Sequence, residues 1–387
     1  MRVAVVYGRS PSGHASAAAA LENEFRARGL ECFRVSAAAD INPVLGPFLD
    51  ASYIRVLEFC PWLWRAVYDR RAVLPVAALC RALYWRVRAA KVLAAIERIK
   101  PDVIVCTHAA PLSILALGKK RGAVRTRLVA CPTDYDIHSF WMSPEVDLYL
   151  ASSSLAAKRL AAAGIDRSRI AQTGIPIDPV FSQSVDKTRA RRDLRLDPRG
   201  VVFLLSGGSR GLGRVKEAAV ALLERFPRAE VVALCGENEM LWSALRSAAQ
   251  PRLKAYLGAD KGTVRRLMAA ADALIGKAGG VTLAEASAAG LPMIFFGVLP
   301  GQEERNARLW LSAGAAREAR STEELLRIVS ALVSKRSERV ALIKRAAIFC
   351  RPRAGWAAAD AVLGLGTFAM RPVSRASAAG ECLAGAL

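Results

Sequence analysis

The chain has 387 residues, room for two or three domains at ~150 residues each, and its 53% hydrophobic and 23% charged content excludes a wholly disordered chain. It carries 56 Lys and Arg against 34 Asp and Glu, a formal charge of +22, so the surface is drawn to polyanions: nucleic acid, anionic membrane or phosphorylated ligands. The eight cysteines form no C-x-x-C pair, which argues against a zinc ribbon or disulfide framework and for a reducing cytosol.

In chain order, Arg2–Tyr7 is an apolar run expected to form a first strand, too short for a signal peptide. A helix from about His14 to Arg28 and a strand Glu31–Ser36 follow. The segment Phe48–Lys91 breaks the pattern. It holds Trp62, Trp64 and Trp85 and eight basic residues, Arg70 and Arg71 among them, against Asp50, Glu58 and Asp69. Aromatics interleaved with Arg suit the headgroup layer of an anionic bilayer; the alternative is a surface helix pair whose rings enter the core. The strand–helix rhythm resumes with Val103–Thr107, Leu112–Lys120, Arg127–Cys131, Leu148–Ala151, Ser152–Ala163 and Ile170–Thr173. Residues 176–199, with a basic run and prolines, are expected to be a linker between domains 1–175 and 200–365. Beyond it, Val201–Leu205, Ala229–Leu234, Leu253–Leu257, Ala273–Ile275 and Pro292–Phe296 are strand candidates alternating with helices. Such alternation implies parallel sheets covered on both faces. The Ala, Gly and Ser-rich residues 366–387 are expected to be a poorly ordered tail. The longest charge-free stretches, Val103–Gly118 and Ala286–Gln302, contain Pro and Gly and fall short of the ~20 apolar residues of a spanning helix.

Ligands of open α/β sheets bind beyond the carboxyl ends of the strands. All three histidines, His14, His108 and His138, fall at or near such ends in the first domain, and histidine is the side chain able to act as a base near neutral pH. In the second domain Gly207-Gly208-Ser209-Arg210-Gly211-Leu212-Gly213 joins a strand to a helix, where backbone N–H groups can approach a phosphate. It lacks the GK[ST] ending of a P-loop. Glu230 lies near the spacing of a dinucleotide fingerprint, which leaves an oxidoreductase open. A second turn, Lys277-Ala278-Gly279-Gly280, opens a helix containing Glu285, and Gln302, Glu303 and Asn306 follow another strand end. Amides and carboxylates so clustered suit sugar hydroxyls, though each could be plain helix capping. Asp134-Tyr135-Asp136 has the D-x-D form of some metal–nucleotide sites. Two carboxylates are too few ligands for a metal, and a solvated or acceptor-side role fits better.

The runs SGHASAAAAL (Ser12–Leu21), CTHAAP (Cys106–Pro111), PTDYDIHSFWMSPEVDLYL (Pro132–Leu150), TGIPIDPVF (Thr173–Phe181), LLSGGSRGLG (Leu204–Gly213), ALCGEN (Ala233–Asn238), KAGGVTLAEA (Lys277–Ala286) and PGQEERNA (Pro300–Ala307) resemble the monogalactosyldiacylglycerol synthase and processive diacylglycerol glucosyltransferase group of glycosyltransferase family 28. They occur in family order over about residues 1–320. The resemblance implies a GT-B fold, two Rossmann-like domains facing a cleft, no metal or other cofactor, and inverting transfer of galactose or glucose from a UDP-sugar to diacylglycerol. It implies that His14 is the essential base or proton relay, with Asp134, His138 and Trp141 on the acceptor side. It places Gly207, Gly208, Ser209 and Gly211 on the diphosphate, with Lys277, Gly279 and Gly280 in the second turn of the donor site. Cys235 and Gly236 would lie along the nucleotide, Leu257 and Met268 near the base, Glu285 on the ribose, and Gln302 and Glu303 on the hexose, with Asn306 supporting that loop. Work on a bilayer lipid implies a peripheral protein at the cytoplasmic membrane face, docked through Trp62, Trp64, Arg70 and Arg71. Two departures stand out: Ala278 replaces the usual proline of the KPGG-type turn, and GRSPSGH replaces a glycine-rich loop before the histidine. The alternatives are another lipid-acceptor UDP-sugar transferase, such as the peptidoglycan N-acetylglucosaminyltransferase type of the same family, and, from a different class and motivated by charge alone, a nucleic-acid-binding protein; the latter would need stacking aromatics along a basic groove, and the basic residues are instead spread over both domains.

Overall fold

A computed structural model of the protein describes residues 1–37 and 89–365. The first half contributes the strands Arg2–Tyr7 (β1), Glu31–Ser36 (β2), Val103–Cys106 (β3), Arg127–Ala130 (β4), Leu148–Ala151 (β5) and Ile170–Gln172 (β6). They form one sheet in the order β2-β1-β3-β4-β5-β6. The second half contributes Val201–Ser206 (β7), Ala229–Leu234 (β8), Leu253–Tyr256 (β9), Ala273–Gly276 (β10), Met293–Phe296 (β11) and Arg317–Ala319 (β12), ordered β12-β11-β10-β7-β8-β9. Every pairing in both sheets is parallel. Central strands such as β3, β5 and β11 are buried along their whole length, as helices on both faces require. The expected strands appear within a residue or so of their read boundaries. β12 carries no sequence signal, because three residues are too few to show a period.

Strand order reverses between β1 and β3 in the first sheet and between β7 and β10 in the second. These are the two places where loops splay apart and leave a crevice. Helix Gly13–Ala27 starts at the first of them. Ser12 caps it, accepting the Ala15 amide at 3.1 Å, and alanines on its buried face let it lie close against the sheet.

Residues 176–199 are a docked segment, which corrects the expectation of a plain linker. They hold a 3-10 turn Pro179–Ser182 and a helix Lys187–Asp193, and Ile177, Phe181, Ala190 and Leu196 join the core of the second half. Arg191, 4% exposed, donates to the carbonyls of Ala270, Pro198 and Gly200 and to Asp272 at 2.8 Å. A sequence reading scores that arginine as a solvated charge; the structure uses it as an internal tie.

The boundary at 365 is corrected too. Helix Ala354–Gly364 returns to the first half, where Ala358, Ala359 and Val362 pack with Val3, Val5, Leu21 and Phe25. The second half is thus inserted between two parts of the first. The outgoing and returning connections touch: a Cβ on Gly174 would stand 2.7 Å from the Arg351 side chain, and the Ser182 hydroxyl donates to the Pro352 carbonyl at 3.3 Å.

Candidate active site

At the first switch point the ends of β1 and β3 bring His14 and His108 together. Their rings meet edge to face at 4.4 Å. The Thr107 carbonyl lies 2.8 Å from His14 Nδ1, and the Thr133 hydroxyl oxygen lies at the same distance from that nitrogen. A carbonyl can only accept, so Nδ1 carries the proton and the lone pair sits on Nε2. Burial lowers the pKa of His14 despite the opposing pull of Asp134 and the Thr107 carbonyl, and the imidazole is neutral near pH 7. His108 caps the next helix, Ala109–Lys120, by accepting the Ala110 amide at 3.1 Å; burial and its two histidine neighbours push its pKa well down. His138 is 8% exposed, and burial, with Arg305 and His14 nearby, pushes it down to about 3. All three histidines therefore fall in one desolvated cluster. Thr107 and Thr133, which position His14, escaped the sequence reading; their one signal is that each sits just past a strand end inside a resembling run.

Asp134 stands at the same crevice, its pKa raised by burial and opposed by His14, Asn306 and Lys277. Asn306, fully buried, links the two halves. Its Nδ2 donates to Asp134 at 2.9 Å and to the Ala278 carbonyl at 3.0 Å, and its Oδ1 accepts the Tyr135 amide at 2.8 Å. It does more than the loop support expected of it. Asp136 faces away, toward Arg159 at 2.7 Å and Arg305 at 4.0 Å, so the two D-x-D carboxylates do not converge. Among the described residues no group of His, Cys, Asp and Glu is placed to hold a metal ion.

At the second switch point, β7 runs into the glycine loop and β10 into the Lys277 turn. Gly211 takes φ 58°, and a Cβ there would meet the Cys235 carbonyl at 2.2 Å, so the loop closes only on glycine. Gly207, Gly208, Ser209 and Gly236 pack in the same knot: the Glu237 amide donates to the Ser209 carbonyl at 2.8 Å and Gly258 to Gly236 at 2.9 Å. Lys277 pairs with Glu303, whose other oxygen accepts the Leu299 amide at 3.2 Å. Gln302 opens the helix Gln302–Ser312 beside it. A Cβ on Gly280 would stand 2.1 Å from the Thr133 carbonyl, whereas one on Gly279 would meet nothing nearer than 3.9 Å. Gly280 is therefore a contact between the halves, and Gly279 faces free space. Helices Gly13–Ala27 and Gly280–Ala288 bring their N-termini together here, with Gly13 against Val281, and both dipoles favour an anion. Glu285, on the second turn, lies near Asp178 and Lys261, themselves paired at 3.1 Å; burial raises its carboxyl to about 8.

Several expected placements are corrected. Trp141 is 2% exposed and belongs to the core of the first half with Ile137, Val146 and Leu112. Cys235 is fully buried, with its thiol in the core, so only its backbone borders the loop. Met268 is 2% exposed and sits near the C-terminal end of helix Lys261–Ala270. Such a helix runs back from the carboxyl to the amino ends of the strands, which puts Met268 at the wrong end for a nucleotide base. Leu257, 37% exposed just past β9, is at the right end. Trp62, Trp64, Arg70 and Arg71, and the tail 366–387, lie outside the described residues.

Comparison with known proteins places this geometry. Residues 14–177 match the family model of monogalactosyldiacylglycerol (MGDG) synthase, and residues 202–350 match that of the glycosyltransferase family 28 C-terminal domain. A processive diacylglycerol beta-glucosyltransferase of Bacillus licheniformis is 27% identical over 334 residues, covering 84% of this chain and 84% of the relative. A probable monogalactosyldiacylglycerol synthase 2, chloroplastic, of Oryza sativa subsp. indica is 29% identical over 343 residues, covering 85% and 72%. Among solved structures, a putative UDP-N-acetylglucosamine 2-epimerase from Listeria monocytogenes superposes with a TM-score of 0.66 at 13% identity, covering 96% of this chain and 98% of that one. MurG of Acinetobacter baumannii does so with a TM-score of 0.57 at 14% identity, covering 94% and 99%. The fold is GT-B, two Rossmann-like domains facing a cleft.

Proposed function

Because the chain belongs to the monogalactosyldiacylglycerol synthase and processive diacylglycerol glucosyltransferase group of glycosyltransferase family 28, we propose that it transfers a hexose from a UDP-sugar to diacylglycerol with inversion. The observation that carries this is the link through Asn306, which joins Asp134, next to the residue that touches His14, to the turn beyond β10. A base on one half and an anion-favouring loop on the other thereby share one cleft.

In this reading the acceptor hydroxyl oxygen attacks the anomeric carbon as the bond from that carbon to the UDP oxygen breaks. The hydroxyl proton passes to Nε2 of His14, UDP leaves with the electron pair, and the anomeric configuration inverts. Such a base contributes ~10²–10⁴-fold. The Asp134 carboxyl would stabilise the imidazolium as it forms. The growing charge on UDP would meet the amides of the Gly207–Gly213 loop, the N-terminus of helix Gly280–Ala288 and Lys277. Glu285 would hold the ribose, Leu257 the base, and Gln302 and Glu303 the hexose. Galactose and glucose differ at one hydroxyl, and both remain candidate donors. Diacylglycerol resides in the bilayer, so the enzyme would work as a peripheral protein at an anionic membrane surface on the cytoplasmic side. No helix among the described residues is long and apolar enough to cross a membrane.

Incubating the purified protein with radiolabelled UDP-galactose or UDP-glucose and diacylglycerol vesicles should yield a β-hexosyl lipid from one of them. Label that stays water-soluble with both donors would overturn the proposal.

A further inference from the structure

The carboxyl ends of β1 and β3 bring two histidines together, and the proposed transfer uses only His14. His108 stands beside it, half-buried, with the two rings edge to face at 4.4 Å. Both are held in place. The Thr107 hydroxyl donates to the His14 carbonyl at 2.9 Å, and the Thr107 carbonyl lies 2.8 Å from His14 Nδ1. The His108 ring lies against Gly8, where a Cβ would stand 3.0 Å from its Cδ2.

Their neighbours impose opposite tautomers. Nδ1 of His14 faces a carbonyl, which only accepts, so Nδ1 carries the proton and Nε2 offers a lone pair. Nδ1 of His108 faces the Ala110 amide at 3.1 Å, which only donates, so in the neutral ring the proton sits on Nε2. Burial, with His14 and His138 nearby, keeps that ring neutral near pH 7. Among the described residues Nε2 of His108 has no hydrogen-bond partner, and that nitrogen is not closed off from solvent. Capping the helix Ala109–Lys120 accounts for Nδ1 alone. Ser, Asp or Asn would cap it as well and would bring no second N–H.

The structure assigns His108 to the acceptor: its Nε2–H donates to the oxygen of the lipid hydroxyl whose proton faces Nε2 of His14. This rests on the transfer reading and deepens it. A hydroxyl has one hydrogen and two lone pairs. The hydrogen goes to His14, one lone pair to the anomeric carbon, and the other takes the His108 N–H, which turns the reacting pair toward the donor. His108 keeps its own proton throughout. As the oxygen gives electrons to the anomeric carbon it becomes a poorer hydrogen-bond acceptor, so this contact serves binding and orientation more than the bond-making step.

The test uses the full chain, UDP-glucose or UDP-galactose, and dioctanoylglycerol in detergent micelles. His108→Asn keeps the cap, since the asparagine Oδ1 accepts the Ala110 amide in place of Nδ1, and it removes Nε2. It should melt near wild type and bind UDP, read by calorimetry, as wild type does. Its KM for dioctanoylglycerol should rise about tenfold while kcat changes little. Transfer with an unchanged KM sinks this inference alone and leaves His108 a helix cap. No transfer by wild type from either donor sinks the underlying reading and this inference with it. Should His108→Asn not fold, the wild-type protein with isotope-labelled histidine replaces it, its three histidines giving few signals to assign. The His108 Nε2–H resonance should shift when dioctanoylglycerol is added to the UDP-loaded protein, and an unmoved resonance overturns the assignment.

Discussion

The two halves share an architecture and divide the chemistry. In the first half the switch point is lined by groups that titrate, His14, His108, His138 and Asp134, each moved from its ordinary pKa by burial. In the second it is built from backbone: a glycine knot and a helix N-terminus, with Lys277 and Glu303 paired beside them. One half is suited to moving a proton and the other to receiving an anion. Damage to the first should therefore act on turnover, and damage to the second on binding and fold.

The largest effect expected is at His14. His14→Ala should lower turnover ~10²-fold or more while UDP affinity, read by calorimetry, stays near wild type. Undiminished turnover would break the division at its strongest point. Next come the glycines. Gly280→Ala puts a methyl group against the Thr133 carbonyl and should destabilise the protein by ~1–3 kcal/mol, whereas Gly279→Ala, with open space before it, should leave the unfolding midpoint unchanged. Equal midpoints for the two variants would mean that the halves do not meet through Gly280. Glu285→Ala should weaken UDP binding by ~1–3 kcal/mol with no change in vesicle binding. The smallest effect is a slope. The Glu285 carboxyl is raised to about 8, so between its ordinary value and pH 8 the folded state keeps a proton that the unfolded state has lost, and this residue's contribution to stability falls as pH rises. Glu285→Gln removes that term. Its melting temperature relative to wild type should therefore climb from pH 5 to pH 8, and a constant difference would show that Glu285 ionises normally.

The fold was legible because parallel strands buried on both faces read as short, nearly continuous apolar runs, and the turns between them are marked by glycine. The glycine loop and His14 were legible for the same reason, since both sit where a run ends. Trp141 and Met268 were not. Each lies in a resembling stretch, but which way a side chain points is decided by the helix or turn that carries it, and the structure aims both inward. Asn306 was read as a local support, because its partners Asp134 and Tyr135 lie some 170 positions earlier and only the tertiary fold brings them close. Arg191 and Arg265 were invisible as internal groups, since their burial follows from the docking of 176–199 on the second half.

The returning helix Ala354–Gly364 has a consequence for biosynthesis. Chains emerge from the ribosome N-terminus first, at ~5–20 residues per second. Val3, Val5, Leu21 and Phe25 appear more than 300 residues before Ala358, Ala359 and Val362, the alanines and valine that cover them. The first half therefore waits, with part of its apolar surface uncovered, while the whole second half is translated and can fold on its own sheet. A nascent chain halted before residue 354 would carry a complete second sheet and an open first one, the form that a chaperone binds and a protease cuts.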